Sequence, residues 1–199
     1  MFTGIIETLA KIENIEQSGT NYTFTFSSGI TSELKIDQSV SHSGVCLTVV
    51  QIQGQHYQVT AIDETLQKTN LGTLAVGNHV NLERCMPANG RFDGHIVQGH
   101  VDTTGICTNI QDQDGSWLFD FEYPENEQHI TVEKGSIFIN GVSLTVFNSE
   151  KNTFRVAIIP YTYEHTTFKE LVIGSTVNLE FDIVGKYIRK MLQYQNKID

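Results

Sequence analysis

The chain is poor in positive charge and has no long apolar segment. Only 13 Lys and Arg side chains oppose 23 Asp and Glu side chains, which gives a formal net charge of −10. Proteins hold nucleic acids by neutralising phosphates with Lys and Arg, so this balance argues against a nucleic-acid partner. No stretch reaches the roughly 18 consecutive apolar residues of a membrane-spanning helix, so no membrane association is expected.

Cysteine is also scarce. Cys46, Cys85 and Cys107 form an odd set without the spacing of a disulfide framework, which favours a reduced, cytoplasmic protein. The opening MFTGIIETLAK lacks the basic start and apolar stretch of a secretory signal. A zinc site that combines His95 or His100 with a cysteine is disfavoured. Residues five apart on a strand point to opposite faces, and the sequence has no CxxC or HxxxH pair.

An internal repeat is the most informative feature of the chain. Segments 36–83 and 133–180 align without a gap at an offset of 97 residues and share 16 identical positions. The match pairs GVCLTV with GVSLTV and includes VNLE unchanged in both copies. An internal repeat of this length predicts two similar domains with two similar ligand sites. Function is expected to have diverged at the positions where the copies differ.

Most of the chain has the pattern of short strands. NYTFTFS, HYQVTAI and NTFRVAI alternate apolar and polar residues, and turn signals between such runs are typical of an all-β sandwich or barrel. The equivalent residues Gly44 and Gly141 interrupt two β-branched runs. They indicate either a bend in the strand or a close approach of the backbone to a ligand. The terminal DIVGKYIRKMLQYQNK predicts one amphipathic helix, which is too short to be stable alone.

The clearest chemical difference between the copies is Cys46, which stands where the second copy has Ser143. A thiol on a strand is either a small buried hydrophobe or a nucleophile activated by a nearby base or cation. His100 aligns at the same offset with Thr3, so the first copy lacks this imidazole. It is either a hydrogen-bonded structural histidine or a general acid–base group. Ser39, at a strand start, is a hydrogen-bonding residue or a ligand contact.

Ordered motifs along the whole chain resemble the riboflavin synthase family. They are MFTGIIE, GVCLTV, ETLQKTNLG, VNLER, GHIVQGHVD, EKGSIFINGVSLTV, IIPYT and VNLEFD. The resemblance implies two tandem six-stranded Greek-key barrels, over 1–93 and 94–183, and a C-terminal helix over 184–199 that holds a homotrimer. It implies a cytoplasmic transferase that needs no cofactor and no metal. Association with lumazine synthase is a further expectation of the resemblance.

The reaction of this family uses two identical substrates. Each barrel binds one 6,7-dimethyl-8-ribityllumazine, and the two rings that react come from neighbouring subunits. A four-carbon unit passes from one ring to the other and gives riboflavin and 5-amino-6-(ribitylamino)uracil, the last step of riboflavin biosynthesis. The candidates for catalytic residues are Cys46, His100 and Ser39.

The resemblance also assigns substrate-binding residues to each barrel. In the first barrel these are Gly4, Ile5, Ile6, Cys46, Leu47, Thr48, Thr60, Ala61, Ile62, Asp63, Glu64 and Thr65. In the second barrel these are Gly99, His100, Val101, Lys134, Ser143, Leu144, Thr145, Ala157, Ile158, Ile159, Pro160, Tyr161 and Thr162. Strand backbone would bond the pyrimidinedione edge. The second barrel has Tyr161 where the first has Glu64, so contacts with the ribityl chain are expected to differ.

Two alternatives stay open at this point. Non-catalytic fluorescent antenna proteins bind lumazine or flavin on the same fold. They tend to lose the cysteine of GVCLTV, the histidine of QGH or the MFTGI start, all of which this chain retains. A general flavin-binding or storage module is the other alternative. Formation of riboflavin from the lumazine alone distinguishes the enzyme from both.

Overall fold

The computed structural model describes residues 1–195 and arranges them as two closed antiparallel barrels followed by a helix. The first barrel has the strand order β1-β2-β5-β4-β3-β6, from β1 (Thr8–Ser18), β2 (Asn21–Ser28), β3 (Ser39–His42), β4 (Val45–Gln53), β5 (His56–Ala61) and β6 (His79–Arg84). The second barrel has the order β10-β11-β8-β7-β12-β9, from β7 (Thr103–Asp112), β8 (Trp117–Glu122), β9 (Ser136–Ile139), β10 (Val142–Phe147), β11 (Thr153–Ile158) and β12 (Thr176–Phe181). The all-β prediction of two similar six-stranded barrels is confirmed.

The described chain also has three α-helices, α1 (Asp63–Lys68), α2 (Pro160–His165) and α3 (Ile183–Gln195), and short 3-10 helices at Thr31–Glu33, Asn70–Thr73 and Thr167–Glu170. The predicted terminal helix is therefore confirmed to Gln195, and the rest of its predicted span, 196–199, lies outside the described residues. The domain boundaries at 93 and 183 stay predictions. Within the described chain, no helix has the length and apolar character needed to span a bilayer.

Alternating strands build one core inside each barrel. In the first barrel Phe24, Phe26, Tyr57 and Val59 are all fully buried, and they come from every second position of β2 and β5. Successive side chains of a strand point to opposite faces, so this alternation fills the barrel interior. Each such side chain stabilises the fold by about 1.5–3 kcal/mol.

The repeat does not keep a single offset in three dimensions. A β-bulge between Ile12 and Asn14 of β1 recurs between Cys107 and Asn109 of β7, which is an offset of 95 residues. Between this bulge and the start of β9, the second copy has two residues more than the first copy has between its bulge and β3, so the offset becomes 97 from β9 onward. The counterpart of His100 is therefore Ile5, and the predicted pairing of His100 with Thr3 is wrong.

Two hairpin turns meet where the barrels contact each other. Ser43 and Gly44 have φ values of 46° and 86°, and Asn140 and Gly141 have 46° and 85°. Positive φ at both central residues is the geometry of the two-residue turns that match the twist of a hairpin. A Cβ atom on Gly44 would lie 3.0 Å from the Gly141 nitrogen. These glycines therefore lie in hairpin turns rather than within a strand, and they let the two turns touch. The alternative of a close approach to a ligand stays a prediction.

The asparagines of the two VNLE segments lock the barrels together reciprocally. Asn81 Nδ2 donates to the carbonyl of Asn140 (2.7 Å), and Asn178 Nδ2 donates to the carbonyl of Ser43 (2.9 Å). Both asparagines are buried, so each satisfies a turn carbonyl that would otherwise lose its contact with water. The repeated Asn of VNLE thus encodes the contact between the two copies.

Candidate functional site

Each barrel contains a cleft where two neighbouring strands separate. In the first barrel the pairing of β4 with β5 begins at Val49 and Val59, so residues 45–48 of β4 and 60–61 of β5 lie beyond its end. We call this gap the first cleft. Backbone N–H and C=O groups along it are not used by the β4–β5 ladder and can bond a planar ligand edge.

The second barrel repeats this separation. Pairing of β10 with β11 is confined to Val146 with Val156 and Phe147 with Arg155. Residues 142–145 of β10 and 157–158 of β11 therefore border a second cleft. The two clefts include the central residues of both predicted binding sets.

Each cleft is closed at one end by a segment from the other copy of the repeat. The Gly99 carbonyl accepts the N–H of Cys46 in the first cleft, and the Gly4 carbonyl accepts the N–H of Ser143 in the second, both at 2.9 Å. A Cβ atom on Gly99 would lie 2.7 Å from Cys46 Cβ, and one on Gly4 would lie 2.5 Å from Ser143 Cβ. Both glycines also have positive φ, so only glycine fits these two positions.

These crossing segments, residues 2–6 and 97–101, correct one part of the sequence prediction. Ile6 packs against the core of the second barrel, and Val101 packs against the core of the first. The assignment of Gly4–Ile6 to the first site and of residues 99–101 to the second is therefore wrong. Phe2 and Val97, one from each copy, pair with each other in an isolated β-bridge. The two segments are therefore exchanged, and each packs on the barrel of the other copy.

The glutamates of the two VNLE segments hold the crossing segments in place. Glu83 accepts the N–H groups of Thr3 (2.7 Å) and Gly4 (3.0 Å), and Glu180 accepts two N–H groups of segment 97–101, both at 2.8 Å. Burial raises the pKa of both carboxyl groups, and the backbone hydrogen bonds lower it in part. Sequence reasoning did not assign these residues a role, although the unchanged VNLE repeat was the available signal.

The three predicted catalytic residues all lie at the first cleft. Cys46 is half-buried and lies opposite Ser41 on β3, with Ser39 two positions away opposite Thr48. Burial raises the pKa of the Cys46 thiol, and a hydrogen bond from Ser39 lowers it in part. His100 directly follows Gly99, donates its N–H to Glu180 and exposes its ring. The arrangement therefore offers a neutral thiol, a hydroxyl and an imidazole at one cleft.

The second cleft has a different polar group at the equivalent place. Ser143 Oγ lies 2.7 Å from His95 Nδ1, and the imidazole lies nearly perpendicular to the ring of Phe138 at a centroid distance of 6.0 Å. Burial lowers the pKa of His95, and the Asp182 carboxylate opposes this shift in part. Sequence reasoning considered His95 only as a metal ligand. No three His, Cys, Asp or Glu side chains of the described chain come together in a geometry that could hold a metal ion.

The other predicted binding residues divide by exposure. Buried positions have side chains in the cores and can offer only backbone to a ligand: Leu47, Ala61 and Ile158. Exposed positions border the clefts: Ile5, Thr48, Ile62, Asp63, Thr145, Ala157, Ile159 and Pro160. Half-buried positions lie between these: Thr60, Thr65, Leu144 and Thr162.

The ends of the two clefts differ at α1 and α2. Glu64 forms an exposed ion pair with Lys68 (2.7 Å), whereas Tyr161 stacks on the ring of His165 at a centroid distance of 4.1 Å. Lys134 is exposed and lies over the ring of Phe147 at 5.5 Å from the centroid, in a turn before β9. A carboxylate borders one cleft and an aromatic ring the other.

Comparisons with known proteins agree with this geometry. A family model described as the lumazine binding domain matches the chain twice, over residues 3–85 and 98–182. A riboflavin synthase of Bacillus subtilis is 39% identical over 198 residues, covering 99% of this chain and 92% of the relative. A riboflavin synthase of Actinobacillus pleuropneumoniae is 42% identical over 193 residues, covering 96% of this chain and 90% of the relative.

Solved structures show the same fold with ligands bound. The structure of LumP complexed with riboflavin superposes with a TM-score of 0.84 at 25% identity, over 92% of this chain and 100% of that one. The structure of LumP complexed with 6,7-dimethyl-8-(1'-D-ribityl) lumazine has a TM-score of 0.83 at 23% identity, over 92% of this chain and 99% of that one. By its tandem matches and its full-length relatives, the chain belongs to the lumazine-binding-domain family that contains the riboflavin synthases.

Proposed function

We propose that the protein is a riboflavin synthase that converts two molecules of 6,7-dimethyl-8-ribityllumazine into riboflavin and 5-amino-6-(ribitylamino)uracil. The observation that carries the proposal is the pair of clefts, which share one backbone frame but differ in reactive side chains. Similarity to riboflavin synthases over nearly the whole chain supports the same reaction. The reaction is a transfer of a four-carbon unit, so the protein would be a transferase.

The backbone frame suits the first task of the reaction, which is to bind the same molecule twice. Unused backbone groups of residues 45–48 and 142–145 would bond the pyrimidinedione edge of one lumazine each. Two equivalent frames would present two rings in related orientations. Fixed orientation of two reactants supplies much of the rate acceleration in such a bimolecular step.

The open form of the clefts supports an assembly in which subunits complete each other. Thr48 and Thr145 on the cleft walls are exposed in the single chain. Helix α3 also exposes an apolar face, with Val184, Ile188 and Leu192 each more than half exposed (56%, 54% and 53%). An unpartnered apolar face of this kind is typical of a subunit interface.

We therefore propose a homotrimer in which α3 helices pack together and the first cleft of one subunit faces the second cleft of its neighbour. We propose that this trimer is cytoplasmic, in keeping with three free cysteines among the described residues. Association with lumazine synthase stays a prediction of the family resemblance.

A non-catalytic antenna protein is the second candidate function. The structural neighbours named LumP, solved with lumazine and with riboflavin, favour it as an alternative because they have the same fold. The chain keeps Cys46, His100 and the MFTGI start, which favours the enzyme.

One incubation distinguishes these functions. Purified protein is mixed with 6,7-dimethyl-8-ribityllumazine without any cofactor, and the products are separated and quantified. The enzyme is expected to form riboflavin and the uracil in equal amounts. Tight binding of the lumazine without product would instead assign the protein to the antenna class.

A further inference from the structure

The imidazole of His95 is fixed against the second cleft by contacts on several sides. The backbone N–H of His95 donates to the carbonyl of Thr3 (3.1 Å), its ring lies nearly perpendicular to that of Phe138, and Nδ1 lies 2.7 Å from Ser143 Oγ. A Cβ atom on the preceding residue, Gly94, would lie 1.9 Å from the Thr3 carbonyl oxygen. The backbone therefore approaches this point as closely as a glycine permits, and it holds the imidazole at the hydroxyl.

Asp182, the residue before helix α3, carries a charge that acts on this imidazole. Its Oδ1 accepts the N–H of Val184 (2.8 Å) in the first turn of the helix, which fixes the carboxylate. From this place the negative charge of Asp182 acts on His95 and favours a protonated imidazole. The hydroxyl and the imidazole are thus in hydrogen-bond contact, and the carboxylate before α3 acts on the imidazole through its charge.

The first cleft has different groups at the equivalent place. The atom that corresponds to Ser143 Oγ is Cys46 Sγ, and its neighbours are the hydroxyl of Ser39 and the thiol of Cys85. Neither neighbour accepts a proton readily at neutral pH, and the imidazole of that cleft, His100, is exposed on its crossing segment. In the second cleft a neutral imidazole is hydrogen-bonded directly to Ser143 and can accept a proton. The two clefts therefore differ in the basicity of the group behind the reactive side chain.

We propose that Ser143 and His95 act as the proton acceptor of the second cleft, so that the lumazine bound there is the one that loses a 7-methyl proton. This inference rests on the proposed function. The methyl proton passes to Ser143 Oγ while the Ser143 hydroxyl proton passes to His95 Nδ1. The electron pair of the C–H bond stays on the lumazine as a delocalised anion, and the imidazolium that forms is stabilised by Asp182. Ser143 touches the substrate, and His95 is a positioning residue that acts through it.

The test measures exchange of the 7-methyl protons with solvent deuterium by proton NMR, together with riboflavin formation and lumazine affinity. The decisive variant is His95→Asn, because the asparagine amide can still bond the Ser143 hydroxyl but cannot accept its proton. Exchange catalysed by the protein and turnover are expected to fall about 100-fold or more, which is the usual contribution of a general base. Lumazine affinity is expected to change less than about threefold. His56→Asn, at the exposed start of β5, is the matched control and is expected to retain full exchange.

A second variant separates base chemistry from structure. Asp182→Asn removes the charge but keeps a side chain that can still cap α3. Burial already places the pKa of His95 below its ordinary value of about 6.5, so exchange in the unaltered protein should decline only below that pH. Without the carboxylate the pKa of His95 falls further, so the decline is expected at lower pH. This variant also decides the question if His95→Asn does not fold.

The outcomes separate this inference from the proposed function. Unchanged exchange in His95→Asn, equal losses of affinity and exchange, or an unshifted pH profile in Asp182→Asn would each overturn the inference. Riboflavin formation by the unaltered protein in the same experiments would leave the proposed function standing. Exchange that depends on His95 in a protein that forms no riboflavin would instead overturn the proposed function and keep the proton acceptor.

Discussion

The first and second clefts have the same frame and different chemistry. In each, a glycine carbonyl from a crossing segment bonds the strand that carries the reactive residue, and a buried VNLE glutamate fixes the segment. Cys46 occupies this place in the first cleft and Ser143 in the second. On the proposed function, the shared backbone geometry serves two sites that bind the same molecule. The differing side chains serve two bound molecules that must behave differently.

The packing around the crossing glycines shows the same division between frame and side chains. An aromatic ring lies against each glycine, Phe2 against Gly99 and Phe138 against Gly4. These rings come from different elements, because the counterpart of Phe2 is Val97 and that of Phe138 is Ser41. The volume around each glycine is filled in both copies by residues that a sequence comparison does not align.

Removing helix α3 is expected to have the largest effect on the cooperation of the two clefts. Both barrel cores lie outside α3, so deletion of residues 184–199 should leave the barrels folded and able to bind lumazine. Turnover should fall by about 100-fold or more at micromolar protein, because two clefts that meet only by collision lose their effective concentration. Light scattering and turnover on one sample check this. A fully active monomer would contradict the shared site.

Replacing the reactive groups of the first cleft is expected to have the next largest effect. Cys46→Ser and His100→Gln should each lower turnover by about 10-fold to 1000-fold and change lumazine affinity little, because the catalytic roles predicted for both groups would act mainly in the transition state. Stopped-flow turnover and fluorescence titration separate the two quantities. Full turnover in both variants would mean that the first cleft only binds.

Releasing one crossing segment should disturb the cleft of the opposite barrel. Glu180→Gln places an amide N–H group against the N–H donors of segment 97–101, and we expect the Cys46 thiol to react several-fold faster with a maleimide. Glu83→Gln frees segment 2–6 and should affect the second cleft instead. The measurement uses a Cys85→Ser background, in which Cys46 is the accessible thiol because Cys107 is buried. Equal acceleration by both variants would contradict the exchange of segments.

Two glycines with positive φ, Gly44 and Gly19, allow a test of the contact between the barrels. Gly44→Ala brings a methyl group to 3.0 Å from the Gly141 nitrogen, whereas a methyl group on Gly19, also at positive φ, would meet no atom within 4 Å beyond its chain neighbours. Both substitutions carry backbone strain of about 1–2 kcal/mol. Gly44→Ala should add about 1 kcal/mol or more from the clash. Denaturant unfolding of the two variants gives the difference, and equal losses would mean that the turns can separate freely.

Ser41 offers the smallest expected effect. Its hydroxyl is buried and, within residues 1–195, has no hydrogen-bond partner. Removing an unsatisfied buried polar group is close to neutral or stabilising, so Ser41→Ala should change the free energy of unfolding by about −0.5 to +1 kcal/mol. Val40→Ala on the same strand, which removes buried apolar atoms, should destabilise by about 1–3 kcal/mol and serves as the contrast. A large loss in Ser41→Ala would show that the hydroxyl has a partner in solution.

Local pattern was sufficient to predict an all-β sandwich or barrel, because strand alternation and turn residues are properties of neighbouring positions. The six strands of each barrel were implied by the family resemblance. It was also sufficient to find Cys46 and Ser143, since these residues occupy equivalent strands. The crossing of segments 2–6 and 97–101 was not predictable, because it depends on which barrel a segment packs against. The contact of His95 with Ser143 was missed for the same reason, since His95 lies between β6 and β7 and its partner is 48 positions away on β10.

Complementation between two inactive chains tests the central claim most directly, namely that the two clefts have different roles and meet across subunits. Cys46→Ala chains are unfolded, mixed with Ser143→Ala chains, refolded together and assayed for riboflavin formation. A site built from the first cleft of one subunit and the second cleft of its neighbour is intact in about a quarter of random pairings. The account therefore predicts that the mixture recovers about a quarter of the activity of the unaltered protein. A mixture that is no more active than the average of the two separate variants would contradict it.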